Sequence, residues 1–143
     1  MTNFEIISAI TSNLKSILET LGTNFRLGKA GEKTIPASAN PYAEITYAGE
    51  SFENTLNRRP SYAEAAFGIK LVFSGRDGEE LTREAARWVH LIRDALSVNA
   101  MNAGELTVEK PVSSVKALNA DVESKEGRVA INYKIKIGYR EQP

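Results

Sequence analysis

A glycine-rich segment at residues 28–34, "GKAGEKT", is the part of the sequence that most resembles a ligand-binding motif. A phosphate-binding loop requires glycine directly before its lysine, so that backbone N–H groups can surround the anion. Glu32 occupies that position, and its carboxylate would repel a phosphate. The segment also follows a helical pattern instead of a buried parallel strand. Its composition therefore indicates a polar turn.

The other side chains with catalytic potential do not form a recognisable set. The 143 residues include no cysteine and one histidine, His90, which excludes thiolate chemistry and sites with several histidines. His90 borders the apolar stripe of a predicted helix beside Trp88, so we expect a partly buried structural histidine and a core tryptophan. No acidic pair has the spacing of a calcium loop or a two-carboxylate site. The sequence thus predicts a protein without enzymatic activity, metal or cofactor.

The segment "GRVAINYKIKIGYR" at residues 127–140 alternates between apolar and cationic side chains. Because successive side chains of a strand point to opposite faces, this pattern predicts a long strand with one apolar and one cationic face. The cationic positions are Arg128, Lys134, Lys136 and Arg140, and Lys70 of another predicted strand extends them. Such a face is either an ordinary solvated sheet face or a binding surface.

Residues 50–60, "ESFENTLNRRP", are polar and have neither helical nor strand periodicity. They predict a long hairpin loop, and long loops in compact domains are often functional. Glu50, Glu53, Arg58 and Arg59 are its candidate contacts, since paired arginines suit charged partners. A flexible hairpin tip without a partner is the alternative interpretation.

Two amphipathic helices and several strands are predicted around these candidates. The first helix covers residues 3–21, with a capping box at Thr2 and Glu5 and a terminating Gly22; the second begins near Asp77. The predicted strands cover residues 42–49, 61–73, 111–123 and 127–140, with a weak additional strand at 25–27. The order α-β-β-α-β-β predicts one α+β domain over residues 1–143. We expect a mainly antiparallel sheet of four or five strands with both helices packed on one face.

The same periodicities predict which side chains are buried. Phe4 falls in the apolar stripe of the first helix, while Leu118, Ala120 and Val122 share the inner face of the third long strand. All four are therefore expected to face the core.

The overall amino-acid composition restricts the class of protein. Hydrophobic residues make up 42% of the chain, and 18 basic residues balance 18 acidic ones. This neutrality disfavours a general nucleic-acid-binding protein. The N-terminus "MTNFEIISAI" lacks the positive region of a signal peptide, and no apolar run approaches the ~18 residues of a membrane span. A cytoplasmic origin is expected.

The segments "PYAEITYAGE", "YAEAAFGIKLVF" and "VAINYKIKIGYR", behind an N-terminal amphipathic helix, resemble the tail terminator (tail completion) proteins and minor tail proteins of long-tailed phages and prophages. The resemblance covers nearly the whole chain, and other head–tail joining proteins are similar. It implies a homohexameric ring that caps the tail tube, ends its elongation and joins it to the head connector. The implied partners are further copies, the tail tube protein and the connector or stopper protein, first in the host cytoplasm and then in the virion tail.

The resemblance also suggests roles for the charged residues. The loop at residues 50–60, with Arg58 and Arg59, would contact neighbouring subunits. Lys134 and Lys136 would pair with acids of a neighbour, namely Glu79, Glu80 or Asp121. No catalytic residue is implied.

A small module that binds single-stranded nucleic acid through its basic sheet face is the alternative function. Such modules interleave aromatic and basic residues on the exposed face. Tyr133 and Tyr139 fall on the apolar face instead, which disfavours this interpretation.

Overall fold

The computed structural model describes residues 1–25, 41–52, 61–75, 78–125 and 127–141. The elements are α1 (Asn3–Thr20), β1 (Asn24–Phe25), β2 (Tyr42–Phe52), β3 (Tyr62–Ser74), α2 (Gly78–Ala95), α3 (Val98–Met101), a 3-10 helix (Gly104–Leu106), β4 (Val112–Lys125) and β5 (Arg128–Arg140). The five strands form one sheet in the order β1-β2-β3-β5-β4. β1 pairs with β2 in parallel, and every other pair is antiparallel. The predicted α+β class and element order are confirmed, with β1 as the additional strand.

The core lies between one face of the sheet and the two long helices. Alternate residues of β3 and β5 are buried on that face, as their sequence pattern predicts. The helices contribute Ile6, Ile10, Leu14 and Leu18 from α1 and Leu81, Ala85, Trp88 and Ile92 from α2. These side chains form one hydrophobic cluster with the strand residues. Its burial is the main stabilising contribution to the fold.

Helix α1 begins and ends as its sequence predicts. The Glu5 N–H donates to Thr2 Oγ1 at 3.1 Å, and the Glu5 carboxylate accepts from the Thr2 N–H at 3.4 Å, which completes the capping box. Gly22 has a φ of +101° just after the helix, and its N–H donates to the Glu19 carbonyl at 3.0 Å. Asp77, the predicted cap of α2, lies outside the described residues.

The predicted burial of Phe4 is wrong, because its side chain is 78% exposed. Ile6 and Ile10 are fully buried and define the inner side of α1. Phe4 precedes Ile6 by two residues, or about 200° around the helix axis, which directs it toward solvent.

The burial predicted for Leu118 and Val122 of β4 is also wrong, whereas Ala120 is partly buried and packs against the core. Leu118 is 52% exposed and Val122 is 48% exposed. Val122 opposes Ile131 and Ala120 opposes Tyr133, so this part of β4 does face the helix side. However, α2 lies over β5, where the Val89 carbonyl accepts from the Tyr133 hydroxyl. β4 is the outermost strand, beyond this cover, and its helix-side apolar groups remain exposed.

The segment between α2 and β4 contains α3 and the 3-10 helix. Two asparagine side chains hold it. The Asn13 amide donates to the carbonyls of Met101 (2.8 Å) and Ala103 (3.1 Å), and Asn102 makes two hydrogen bonds of 2.9 Å with the backbone of Val112. These side-chain bonds satisfy backbone carbonyl and N–H groups of the chain. The apolar periodicity of the sequence could not have predicted them.

A pair of truncations on α1 tests this assignment of its faces. Leu14→Ala should lower the free energy of unfolding by about 2–5 kcal/mol, since it removes a fully buried side chain. Phe4→Ala should change it by less than about 0.5 kcal/mol, because the phenyl ring is exposed. Urea unfolding followed by circular dichroism measures both. Equal losses would contradict the orientation of α1.

Candidate functional site

The open face is the sheet face away from the helices, and the register of the strands collects the predicted cationic residues there. Lys70 stands between Glu44 and Asn132, Lys134 opposes Gly68, and Lys136 opposes Ala66. The charged members of this face are Glu44, Glu64, Lys70, Lys116, Asp121, Glu123, Lys125, Arg128, Lys134, Lys136 and Arg140. The common face predicted for Lys70, Arg128, Lys134, Lys136 and Arg140 is therefore confirmed.

One carboxylate that the sequence analysis did not single out organises part of the open face. Glu64 lies within ion-pair distance of two lysines, at 3.1 Å from Lys116 Nζ and 4.0 Å from Lys136 Nζ. Lys116 and Lys136 oppose each other across β4 and β5, so Glu64 offsets their mutual repulsion. The pairs are partly exposed, and each contributes at most about 1 kcal/mol. Lys136 therefore has a counter-charge within its own chain.

A shallow groove of about 340 Å³ crosses the open face at the end of the sheet where β2 ends and β3 begins. Gly138 lies on the floor of the groove. A Cβ at this position would lie 2.4 Å from Ser114 Oγ, so the absence of a side chain leaves space for the serine hydroxyl. Its lining residues are Ser51, Phe52, Tyr62, Ala63, Glu64, Ser113, Ser114 and Gly138. The serine hydroxyls can donate and accept hydrogen bonds, and Tyr62 exposes aromatic surface beside them.

The prediction that Glu50 begins a loop is wrong, because β2 continues through it to Phe52. The register between β2 and β3 shifts by one residue between Tyr47 and Glu50, and Gly49 there has a φ of +102°. This is a β-bulge, and the positive φ is one that glycine adopts without steric cost. The extra residue turns Glu50 to the helix side, where it opposes Ala65.

In this position the Glu50 carboxylate accepts hydrogen bonds from two phenols. Tyr47 Oη donates to Glu50 Oε2 at 2.6 Å, and Tyr139 Oη donates to Glu50 Oε1. Burial raises the pKa of Tyr47 to about 12, with a further contribution from the hydrogen bond and the charge of Glu50. Burial, followed by the same two effects of Glu50, also raises the pKa of Tyr139. The carboxylate joins β2 to β5 within one chain.

The remaining loop candidates, Glu53, Arg58 and Arg59, lie outside the described residues, as does the glycine-rich segment at 28–34. Their contact role stays a prediction.

The described residues offer no group of three or more His, Cys, Asp or Glu that could hold a metal ion. Trp88 is buried, as predicted, and the Arg87 guanidinium lies 5.2 Å from its ring centre. His90 is exposed, contrary to the partial burial expected for it. Over the same described ranges, no helix has the length and apolarity needed to cross a membrane.

Both edges of the sheet carry exposed apolar side chains. β1 pairs only with Tyr42 and Ala43, and no other described strand pairs with the outer side of β2. Tyr47 is 43% exposed and Phe52 is 58% exposed on this edge. Leu118 and Val122 are about equally exposed on β4, the opposite edge. Such edges present unpaired backbone groups and are templates for pairing with another chain.

Comparison with known proteins gives a similarity among solved structures. No family model matches the sequence, and no curated protein matches it. Among solved structures, the chain is similar to a chain from the virion of a native gene transfer agent particle. The match has a TM-score of 0.51 and covers 93% of this chain and 92% of that one, at 14% sequence identity. It shows a shared fold over nearly the whole chain.

Alkaline unfolding tests the contacts of Glu50. The phenol of Tyr47 has a pKa of about 12 in the folded protein against an ordinary value of 10.0. The folded state therefore holds this proton more tightly than the unfolded state does. The resulting stability is fully present below pH 10 and should fall as the pH rises from 10 to 12. Urea unfolding at several pH values measures it, and absorbance at 295 nm follows the phenols.

Two variants separate the role of Glu50 from a general effect of alkali. Glu50→Gln removes the charge, so the pKa of Tyr47 should move toward 10. Tyr62→Phe removes a phenol outside this cluster and should leave the stability loss unchanged. A Glu50→Gln titration identical to that of the natural sequence would contradict the assignment.

Proposed function

We propose that this chain is a non-enzymatic structural subunit of a phage-like virion, and that its copies join head to tail into a ring that caps a tail tube. The fold shared with a chain of a gene transfer agent virion supports the virion assignment. The sequence resemblance to tail terminator proteins supports the position at the end of the tube. The observation that carries the ring is that, within the described residues, no strand pairs with the outer side of β4 or with the outer side of β2 beyond Ala43.

The directions of the strands allow the two edges to join. β2, β3, β5 and β4 alternate in direction across the sheet. β4 of one copy can therefore meet β2 of the next in the antiparallel sense, with both copies in the same orientation. Backbone hydrogen bonds then continue from copy to copy, as in β-strand addition.

The exposed apolar side chains of the two edges also match. Tyr47 and Phe52 oppose Phe67 and Ala63, and Val122 opposes Ile131, so these three lie toward the helix side. Leu118 stands at the register shift of β4. Tyr47 and Phe52 are five residues apart including the bulge, so their spacing along the edge equals that of Leu118 and Val122. An antiparallel joint can set Leu118 opposite Phe52 of the next copy and Val122 opposite its Tyr47. Cross-strand pairs of this kind stabilise a sheet by about 0.2–1 kcal/mol each.

Charge agrees with this register. Lys125 follows Val122 by three residues, and Glu44 precedes Tyr47 by three residues. Both lie on the open face. The joint therefore brings a lysine opposite a glutamate. Opposite charges at an interface fix register and suppress wrong alignments more than they add affinity.

The joint uses two different surfaces of each copy, so it is heterologous and closes into a ring when the rotation per copy closes. We propose a hexamer, the state implied by the sequence resemblance. The ring would take the tail tube protein as one axial partner and the head connector or stopper protein as the other. Arg58, Arg59 and Glu53 remain the proposed contacts to these neighbours.

Cysteine cross-linking tests the head-to-tail joint cleanly, because the natural chain has no cysteine. The double variant Phe52→Cys/Leu118→Cys, oxidised with diamide, should give a ladder of covalent oligomers that ends at the ring. The two thiols belong to different edges, so each copy can be linked on both sides. A non-reducing gel and mass spectrometry measure the products.

The single variants Phe52→Cys and Leu118→Cys are the matched controls, and neither should extend beyond a dimer. A double variant that also stops at the dimer would contradict the ring.

The loop arginines are tested by Arg58→Ala/Arg59→Ala. This variant should fold normally, as judged by circular dichroism, but form fewer rings and lose control of tail length in electron micrographs. Arg83→Ala/Arg87→Ala removes two charges from the exposed side of α2 and serves as the control. Unchanged rings and tail lengths in the first variant would rule out the contact role.

A further inference from the structure

The outer edge of β4 has features of a second interface, separate from the head-to-tail joint. Its start is tied to the body of the protein, because Asn102 bonds both backbone groups of Val112. After that residue, no strand of the described chain pairs with its outer side. Natural edge strands are usually short or interrupted by charge at their centre. β4 is 14 residues long, and at the centre of its free part Leu118, Ala120 and Val122 alternate with Asn119 and Asp121.

The sequence of this free part is nearly symmetric about Ala120. Leu118 precedes Ala120 by two residues and Val122 follows by two, while Asn119 and Asp121 flank it directly. Two copies of β4 placed antiparallel with Ala120 opposite Ala120 therefore match Leu118 with Val122 twice. The same register matches Asn119 with Asp121 twice, an amide donor with a carboxylate acceptor. These two groups already bond within one chain, at 3.1 Å.

Neighbouring registers are less favourable. A two-fold axis requires one residue to face its own copy, so the alternatives nearest to Ala120 are centred on Asn119 or Asp121. The centre at Asp121 brings two carboxylates directly opposite each other, and like charges in that position destabilise a sheet. The centre at Asn119 sets Leu118 opposite Ala120 and so does not join it to Val122. Only the centre at Ala120 pairs the two exposed apolar side chains.

Charge complementarity continues beyond the apolar centre. The register shift between Ala117 and Asn119 places Lys116 on the open face, where it opposes Lys136. Glu123 opposes Ala130 and lies on the same face. In the pair centred on Ala120, Lys116 of each copy lies at the same end as Glu123 of the other. The two-fold symmetry produces this opposite-charge pair twice.

We propose that two free copies of this chain pair through their β4 edges, antiparallel and centred on Ala120, to form one sheet continuous across the dimer. The occupant of the edge is a second copy in two-fold relation. This dimer covers Leu118 and Val122, which the head-to-tail joint also needs. If the proposed function holds, on which this consequence rests, the dimer is a storage form that excludes ring growth until the pair separates.

The test uses Ala120→Cys. Directly opposite residues of antiparallel strands have Cα atoms about 4.5–5.5 Å apart, within the range that a disulfide spans. Diamide oxidation of the purified full chain should convert this variant almost completely to a covalent dimer with no larger product. Val108→Cys, on a residue that is 91% exposed and precedes β4, is the matched control and should remain largely monomeric. Equal rates of dimer formation in the two variants would overturn the proposal.

A second variant keeps the test decisive if Ala120→Cys alters the strand. Val122→Lys places a charge at both apolar contacts of the dimer and should raise its dissociation constant about 100-fold, or about tenfold per contact. Sedimentation equilibrium measures this constant. Phe52→Ala removes a contact of the head-to-tail joint alone and should leave the dimer intact. A dimer whose dissociation constant is unchanged by Val122→Lys would refute the β4 interface. Formation of the dimer without any ring would refute only the proposed function.

Discussion

The ladder between β3 and β5 is the constraint on which the rest of the structure depends. All thirteen residues of β3, Tyr62–Ser74, are in register with Arg128–Arg140. Because side chains alternate between faces, a slip of one residue would turn the apolar set of one strand to the open face. Both helices pack on the surface that this ladder presents, and the edge strands extend it on either side. The partners are far apart in the chain, so forming the ladder closes a long loop that contains α2 and β4.

The sequence predicted most of the fold because its central elements are strongly periodic. β3 and β5 alternate over their whole lengths, and α1 carries its own start and stop signals in Thr2, Glu5 and Gly22. The errors concern side chains whose burial depends on the elements that surround them. Phe4 belongs to an amphipathic helix but lies outside its buried stripe. The predicted orientation of Val122 was right, but no helix covers it and its side chain remains exposed. Periodicity gives the direction of a side chain, whereas its burial depends on how far the opposing layer extends.

The candidate site was predictable to a smaller extent. The common face of Lys70, Lys134 and Lys136 followed from alternation alone. Glu64 could have been found in the same way, because it has the same strand parity as Lys70 in "YAEAAFGIK". The position of Glu50 was not accessible, since it depends on the bulge at Gly49 and on a phenol 89 residues away. The match between the edges formed by β2 and β4 was likewise not predictable, because it requires the register of both strands.

The bulges at the two sheet edges have a geometric consequence for any assembly built from this chain. β2 has one beside Gly49, and β4 has register shifts between Val112 and Ser114 and between Ala117 and Asn119. A bulge bends its strand and increases the local right-handed twist. Each edge therefore leaves the sheet at an angle determined by the subunit itself. In a closed assembly the rotations from copy to copy must complete a full turn, so backbone curvature within the subunit contributes to the number of copies. Side chains at the joint then govern how firmly neighbours hold together, and the two properties can vary independently.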